Sequence, residues 1–345
     1  MKIALEISSL AYSLSGIQVY IRNFMESLLK IDAANDYLLT AKIQKFSKLK
    51  TYKVTPFWFR RFDVFHGFDG FIPNAIFATL RSAVIYDVIF LKNHNFNSPE
   101  ERKRMIKKIN RVLKRADILI VPSADTKREL SGLFRPERIF VIYGGCSPRF
   151  APLPDGKIKS FRQKYNLGRF IIFVGVITAR KNISGLIKAF RIIREKIPEI
   201  KLVIAGNHSG FGSAPLHKMM DDLQNDLILL KGVSEEELVL LYNSAELFIF
   251  PSFAEGFGLP VLEAMSCGTP VVISGISALP EVGGDAAVYC DPCNPDDIAL
   301  KALSVLNDAD KKDELRKRGL KRAAEFSWEK SAQKLLEIWE KNLMR

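Results

Sequence analysis

The sequence predicts an α/β protein made of two doubly wound, Rossmann-like domains, and three observations predict it. Short apolar runs alternate with helical patterns along the whole chain. Runs such as FIIFVGV and KLVIAGN are apolar at nearly every position, as in parallel strands covered on both faces. The alternation breaks in a polar stretch, PLPDGKIKSFRQKYNLGR, and then restarts. A chain of 345 residues, 48% hydrophobic and 26% charged, has enough apolar material for two such cores.

In the first half, KIALEIS reads as the opening strand. GIQVYIRNFMESLLK reads as a helix with Ile17, Tyr20, Ile21, Phe24 and Leu28 on one face. DVFHGF, AVIYDVI and ADILIVPS read as further strands, DTKRELSGLF as a short helix, and RIFVIYGG as another strand. In the second half FIIFVGV, KLVIAGN, DLILLKGV, AELFIFPS, TPVVISG and AAVYCDP continue the series, with helices between them. The boundary is expected near 155–168, giving domains 1–160 and 161–327. In sheets of this kind ligands bind beyond the carboxyl ends of the strands, so the strand-to-helix loops are where function is sought.

Charge is distributed unevenly. Residues 1–165 carry 29 Lys and Arg against 14 Asp and Glu, while the remainder carries 22 against 24. The first half should therefore face something anionic: a membrane, a nucleic acid or a phosphorylated substrate. Four cysteines are too few for a disulfide scaffold, and the Cys290-x-x-Cys293 pair has no second ligand pair near it in sequence. Glu6 interrupts the N-terminal apolar run, which argues against a signal peptide. No stretch has the length and apolarity of a membrane span. A cytoplasmic protein is expected, with any membrane contact peripheral.

Two loops carry the candidate chemistry. In GVITARKNISGLIKAF a strand ends at Gly175, Arg180 and Lys181 follow, and Asn182 is placed to cap a helix. Two cations beside a helix N-terminus suit an anion, because free N–H groups and the helix dipole add to their charge. A solvated basic loop would look the same. In FPSFAEGFGLPVLEAMSCGTPVV, Gly256 and Gly258 lie in a strand-to-helix turn, Pro260 suits the first helical turn, and Gly268 and Pro270 end the helix. Glu255 lies in the loop and Glu263 about one turn into the helix. Carboxylates suit sugar hydroxyls, which donate to them. Glu263 alone would also fit an ordinary acid favoured by the helix dipole, but that does not account for Glu255, the glycines and the Arg-Lys pair together.

EGFGLPVLEAMSCGTPVV resembles the E-x7-E segment of the retaining glycosyltransferases of family four, which have the GT-B fold. Eight further collinear segments extend the resemblance over nearly the whole chain, among them SGIQVYIRNF, ERIFVIYGGCSPRF, IIFVGVITARKN, LPEVGGDAAVYCDP and FSWEKSAQKLLEIW. The likeness is greatest to bacterial mannosyltransferases of surface polysaccharide assembly. It implies that the second domain binds a nucleotide-sugar. Arg180 and Lys181 would hold the diphosphate and Glu263 the ribose. Glu255 would contact the transferred sugar, with backbone N–H groups of Phe257, Gly258 and Leu259. Gly232 and Val233 would meet the base, and Gly16 would let the N-terminal loop approach the phosphates. Residues 328–345 would form a helix crossing back to the first domain. Many relatives have His-Asp where this chain has Tyr86-Asp87. Tyrosine is a poor base at neutral pH, so the first-domain polar contact falls to Asp87 or to His66.

SPEERKRMIKKINRVLKRAD places Met105, Ile106, Ile109, Val112 and Leu113 on one helical face and eight cations around the rest. Ser98 and Glu101 have capping-box spacing. Such a helix suits anionic lipid or a lipid-diphosphate acceptor, or it simply packs its apolar stripe on the domain. No nucleic-acid motif or aromatic–basic interleaving is present, so no nucleic-acid partner is expected. The resemblance implies a retaining transferase moving a hexose, most of all mannose from GDP-mannose, to a glycan or lipid-linked acceptor, with no metal and no cofactor beyond the donor. The alternatives are the same chemistry with a UDP-sugar, and a basic membrane- or nucleic-acid-binding protein without catalysis.

Overall fold

The computed structural model describes residues 1–11, 16–41, 60–92, 96–207, 223 and 226–344. The chain divides into two compact units, one of Met1–Lys92, Pro99–Gly145 and Phe326–Arg345, the other of Asn93–Ser98 and Cys146–Glu325. The main changeover lies between Gly145 and Cys146, ahead of the position 160 expected from the polar stretch. That stretch is not a linker: it contains α5 (Asp155–Lys164), which buries Phe161 in the second unit.

The first unit holds a parallel sheet of six strands, β1 (Lys2–Glu6), β2 (Asp36–Thr40), β3 (Arg61–Gly67), β4 (Phe77–Val84), β5 (Ile118–Val121) and β6 (Ile139–Val141), in the order β2-β1-β3-β4-β5-β6. β2, DYLLT, escapes the sequence reading because it is a half-buried edge strand with a single buried residue, Thr40. AVIYDVI is not one strand: β4 stops at Val84, and Ile85–Val88 is irregular before the short α2 (Ile89–Lys92).

Helix α1 (Gly16–Ile31) buries Tyr20, Ile21, Phe24 and Leu28 as its periodicity predicts, but Ile17 in its first turn is 40% exposed. α3 (Pro99–Leu113) buries Ile109 and Val112, with Met105, Ile106 and Leu113 packed partly against the same core. Its apolar stripe is thus used by the fold, and Lys103, Arg104, Lys107, Lys108, Arg111 and the adjoining Lys114 point outward. α4 (Ala124–Leu130) is capped by Ser123. The C-terminal helix, here α12 (Trp328–Leu343), belongs to this first unit and packs along α1. Trp328 meets Tyr20 edge-on at 4.9 Å, and Trp339 is fully buried. A Cβ on Gly145 would lie 2.3 Å from the Trp328 nitrogen, so only glycine lets the two segments pass.

The second unit holds β7 (Phe170–Val174), β8 (Lys201–Ala205), β9 (Leu227–Leu230), β10 (Leu247–Phe250), β11 (Val271–Ser274) and β12 (Val288–Cys290) in the order β12-β11-β10-β7-β8-β9, all parallel. β7, β10 and β11 are buried at every residue, which explains their unbroken apolar sequences. The chain moves outward from β7 to β8 and β9, then returns to the other side of β7 to lay down β10, β11 and β12. The strand order therefore reverses between β7 and β10. Helices α6 (Ile183–Lys196), α7 (Glu235–Ser244), α8 (Leu259–Ser266), α9 (Leu279–Gly283), α10 (Pro295–Leu306) and α11 (Ala309–Ala323) complete the unit. Among the described residues no helix is long and apolar enough to cross a membrane.

Candidate functional site

The loops after β7 and β10 stand side by side at the point where the strand order reverses, the place at which doubly wound sheets open a crevice. After β7, Ala179–Lys181 forms a single 3-10 turn that presents Arg180 and Lys181. After β10, the chain runs through Glu255 and Gly258 into α8. These loops meet through charge. Arg180 Nη1 donates to Glu255 Oε2 at 2.7 Å and to the Ala254 carbonyl at 2.6 Å, and Lys181 Nζ donates to Glu255 Oε1 at 2.6 Å. Lys181 also lies over the Phe250 ring, 4.4 Å from its centroid. Glu255 is 7% exposed and Lys181 9%. Burial pushes the Glu255 carboxyl up, but the charges and hydrogen bonds of Arg180 and Lys181 outweigh it and hold the group at about 2.

Asn182 ties this corner together. It has left-handed backbone (φ 55°), and its side-chain oxygen accepts from the Gly185 N–H at 3.1 Å as the cap of α6. Its amide nitrogen donates to the Pro251 carbonyl after β10 at 3.1 Å and to the Pro292 carbonyl after β12 at 2.7 Å. One side chain thus joins three strand ends. Ser277 clamps the backbone of Glu255, accepting from its N–H at 3.1 Å and donating to its carbonyl at 2.8 Å.

The turn Phe257–Leu259 leads into α8 through Gly258, at φ 119°. A Cβ there would be strained by this conformation and would also come within 2.8 Å of Leu279 Cδ2, the end of a side chain that would have to shift. Glu263 sits one turn into α8 and is partly buried; Tyr242 donates to its Oε2 at 3.0 Å. Burial pushes the Glu263 carboxyl up to about 7, with the Tyr242 hydrogen bond pulling the other way and the charge of Glu235 adding to the rise. Gly232, at φ 64°, and the half-buried Val233 lie between β9 and α7, and among the described residues nothing lies within 4 Å of where a Cβ on the glycine would be. Asp296 and Asp297 open α10 after its cap Asn294, and Asp308 caps α11. Among the described residues no group of three or more His, Cys, Asp or Glu is placed to hold a metal ion.

The first-unit candidates lie in their own unit. Asp87 follows β4, and its Oδ1 accepts from the Ile89 N–H at 3.3 Å, a turn-forming contact at the start of α2. Tyr86 donates to the Phe68 carbonyl at 2.7 Å, and burial pushes its hydroxyl well above the ordinary range. His66 is fully buried on β3, with Nδ1 3.0 Å from Ser82 Oγ, and burial pulls it down to about 3. A neutral imidazole sealed among Phe68 and Trp339 sits in the core of its unit. Gly16 opens α1, and among the described residues nothing lies within 4 Å of where its Cβ would be.

The model of the family described as "Glycosyl transferases group 1" matches residues 156–322, which span the second unit's sheet. The O-antigen chain mannosyltransferase B of Escherichia coli is 31% identical over 273 residues, covering 77% of this chain and 71% of that protein. The chain belongs to the group 1 glycosyltransferases. The serotype-specific mannosyltransferase WbdA of Escherichia coli is 29% identical over 74% of this chain, which spans only 32% of that longer protein. The solved structure of Anabaena Alr3699/HepE in complex with UDP-glucose superposes with a TM-score of 0.78 at 16% identity, over 99% of this chain and 100% of that one. The two sheets of this glycosyltransferase thus form the GT-B architecture.

Of the expected site residues in this glycosyltransferase, the fold joins Arg180, Lys181 and Glu255 in one ionic cluster and places Phe257, Gly258, Leu259 and Glu263 along the next turn and helix of the same segment. The resemblance implies that Glu255 contacts the transferred sugar; both its oxygens are held by cations, and each keeps a second acceptor position. Sequence reasoning missed Ser277, Tyr242 and the two cross-loop bonds of Asn182. Only the αL-tolerant Asn at a helix cap carried a signal, and it pointed to the cap alone.

Proposed function

We propose that this glycosyltransferase moves a hexose, mannose from GDP-mannose, to a glycan or lipid-linked acceptor with retention of configuration and without a metal ion. The observation that carries the reading is the Arg180–Lys181–Glu255 cluster at the strand-order reversal, with Lys181 and Glu255 buried and Arg180 half-buried, two cations against one carboxylate. It supplies positive potential where a diphosphate leaving group would gain charge. The mannosyltransferase names of the two Escherichia coli relatives support the choice of sugar.

In this reading Arg180 and Lys181 bind the diphosphate and Glu263 accepts from the ribose hydroxyls. Val233 meets the base through its backbone, and Glu255 with the Phe257–Leu259 backbone faces the sugar. The bond from sugar C1 to the β-phosphate oxygen breaks, and the acceptor oxygen bonds to C1 on the same face. The acceptor proton passes to the departing phosphate. No carboxylate nucleophile is needed, unlike the two-carboxylate glycosidases. The outward cations of α3 suit peripheral contact with an anionic membrane bearing a lipid-linked acceptor.

Thermal stabilisation by nucleoside diphosphates tests the donor. GDP is expected to raise the melting temperature more than UDP or ADP, and GDP-mannose turnover is expected to persist in excess EDTA. A larger rise with UDP would move the donor to a UDP-sugar. Turnover that collapses with chelator and returns with Mg2+ would contradict the metal-free mechanism.

A further inference from the structure

We propose that Glu255, besides facing the sugar, is a resident counter-ion of the phosphate site, whose negative charge holds Arg180 and Lys181 in place and weakens the hold of the site on the nucleoside diphosphate product. The inference rests on reading those two cations as the diphosphate site, and goes beyond it.

Arg180 and Lys181 are adjacent on one tight turn, and Lys181 is largely removed from water. Two like charges there would be costly without a partner. Glu255 takes one cation on each oxygen, at 2.7 and 2.6 Å, so the three side chains carry a net charge of +1 rather than +2. The carboxylate is fixed by its own backbone: Ser277 bonds both its N–H and its carbonyl, and Ser277 is itself locked in the left-handed region at φ 60°. A diphosphate arriving at Arg180 and Lys181 therefore meets a carboxylate already in hydrogen-bond contact with the same donors. Its attraction to the cations is opposed by repulsion from Glu255. The site is pre-oriented for an anion, yet it releases that anion readily once the sugar has left.

This role predicts opposite effects of one change on fold and on ligand. Glu255→Gln keeps the shape and removes the charge. The ligand-free protein should melt at a lower temperature, GDP should bind at least about tenfold more tightly, and the melting shift produced by GDP should exceed that of the wild type. A residue that only braced the loop would lower stability and leave or weaken GDP affinity, and that result would overturn the proposal. Should Glu255→Gln fail to fold, the comparison moves to Arg180→Gln and the double variant Arg180→Gln/Glu255→Gln, which restores the wild-type charge. The double variant is expected to bind GDP more tightly than Arg180→Gln alone, and equal affinity would overturn the proposal. UDP is run beside GDP in every arm, with the better ligand deciding. If the wild type binds neither diphosphate better than its nucleoside, the diphosphate reading itself falls, and the wild-type arm alone reveals this.

Discussion

Two glutamates eight residues apart in one loop-and-helix segment have opposite protonation behaviour, because burial raises both but only Glu255 has cations on its oxygens to outweigh it. Arg180 and Lys181 hold Glu255 at about 2, so its contribution to stability is present above the ordinary carboxylate range and lost as pH falls through that value. Burial raises Glu263 to about 7, so its contribution is complete below the ordinary value near 4.3 and is lost as pH rises through about 7. Glu263→Gln removes the second titration and keeps an acceptor for Tyr242. Between pH 5 and pH 8 the melting temperature of the wild type is expected to fall relative to that of Glu263→Gln. Parallel curves would show that Glu263 titrates as an ordinary exposed acid. The position of Glu263 was legible from Pro260 and the helix spacing. The partners of Glu255 were not, because they lie 74 and 75 residues away and only the pairing of β7 with β10 brings them together.

Elements were legible where burial is complete. FIIFV, LFIF and VVIS are apolar throughout because both faces are covered, and nothing else in a polar-flanked run of that length fits as well. β2 and α5 were missed because each has few buried residues, Thr40 in one and Phe161 in the other, so their patterns do not stand out from polar loop. At the junction of β7 and α6 the cap Asn182 was legible, but its bonds to Pro251 and Pro292 follow from strand order rather than from neighbouring sequence. Asn182→Ala loses the cap and both cross-loop bonds and must hold φ 55° with a Cβ, for an expected cost of about 2–4 kcal/mol. Asn182→Gly loses the same bonds but accepts the conformation, and should cost about 1 kcal/mol less. Chemical denaturation of both variants checks the order; equal losses would mean that the backbone conformation carries no strain.

For the whole chain, the two-sheet organisation was legible from the restart of the strand series. The position of the changeover was not, since a helix with little apolar surface occupies the stretch that resembled a linker. The assignment of the last helix to the first unit came from resemblance, and its cause is visible in the aromatic contacts of Trp328 with Tyr20 and of Trp339 with His66. Trp339→Ala is expected to cost about 3–5 kcal/mol, read as an early denaturation of the first unit. A loss below 1 kcal/mol would show that α12 is dispensable to that core. The most direct test of the account as a whole is calorimetry on wild type and on Arg180→Ala/Lys181→Ala, titrating each with guanosine and with GDP, or with the uridine pair if UDP stabilises the wild type more. The account predicts that the double variant loses most of its affinity for the diphosphate and little for the nucleoside, while equal losses for the two ligands, or none, would contradict it.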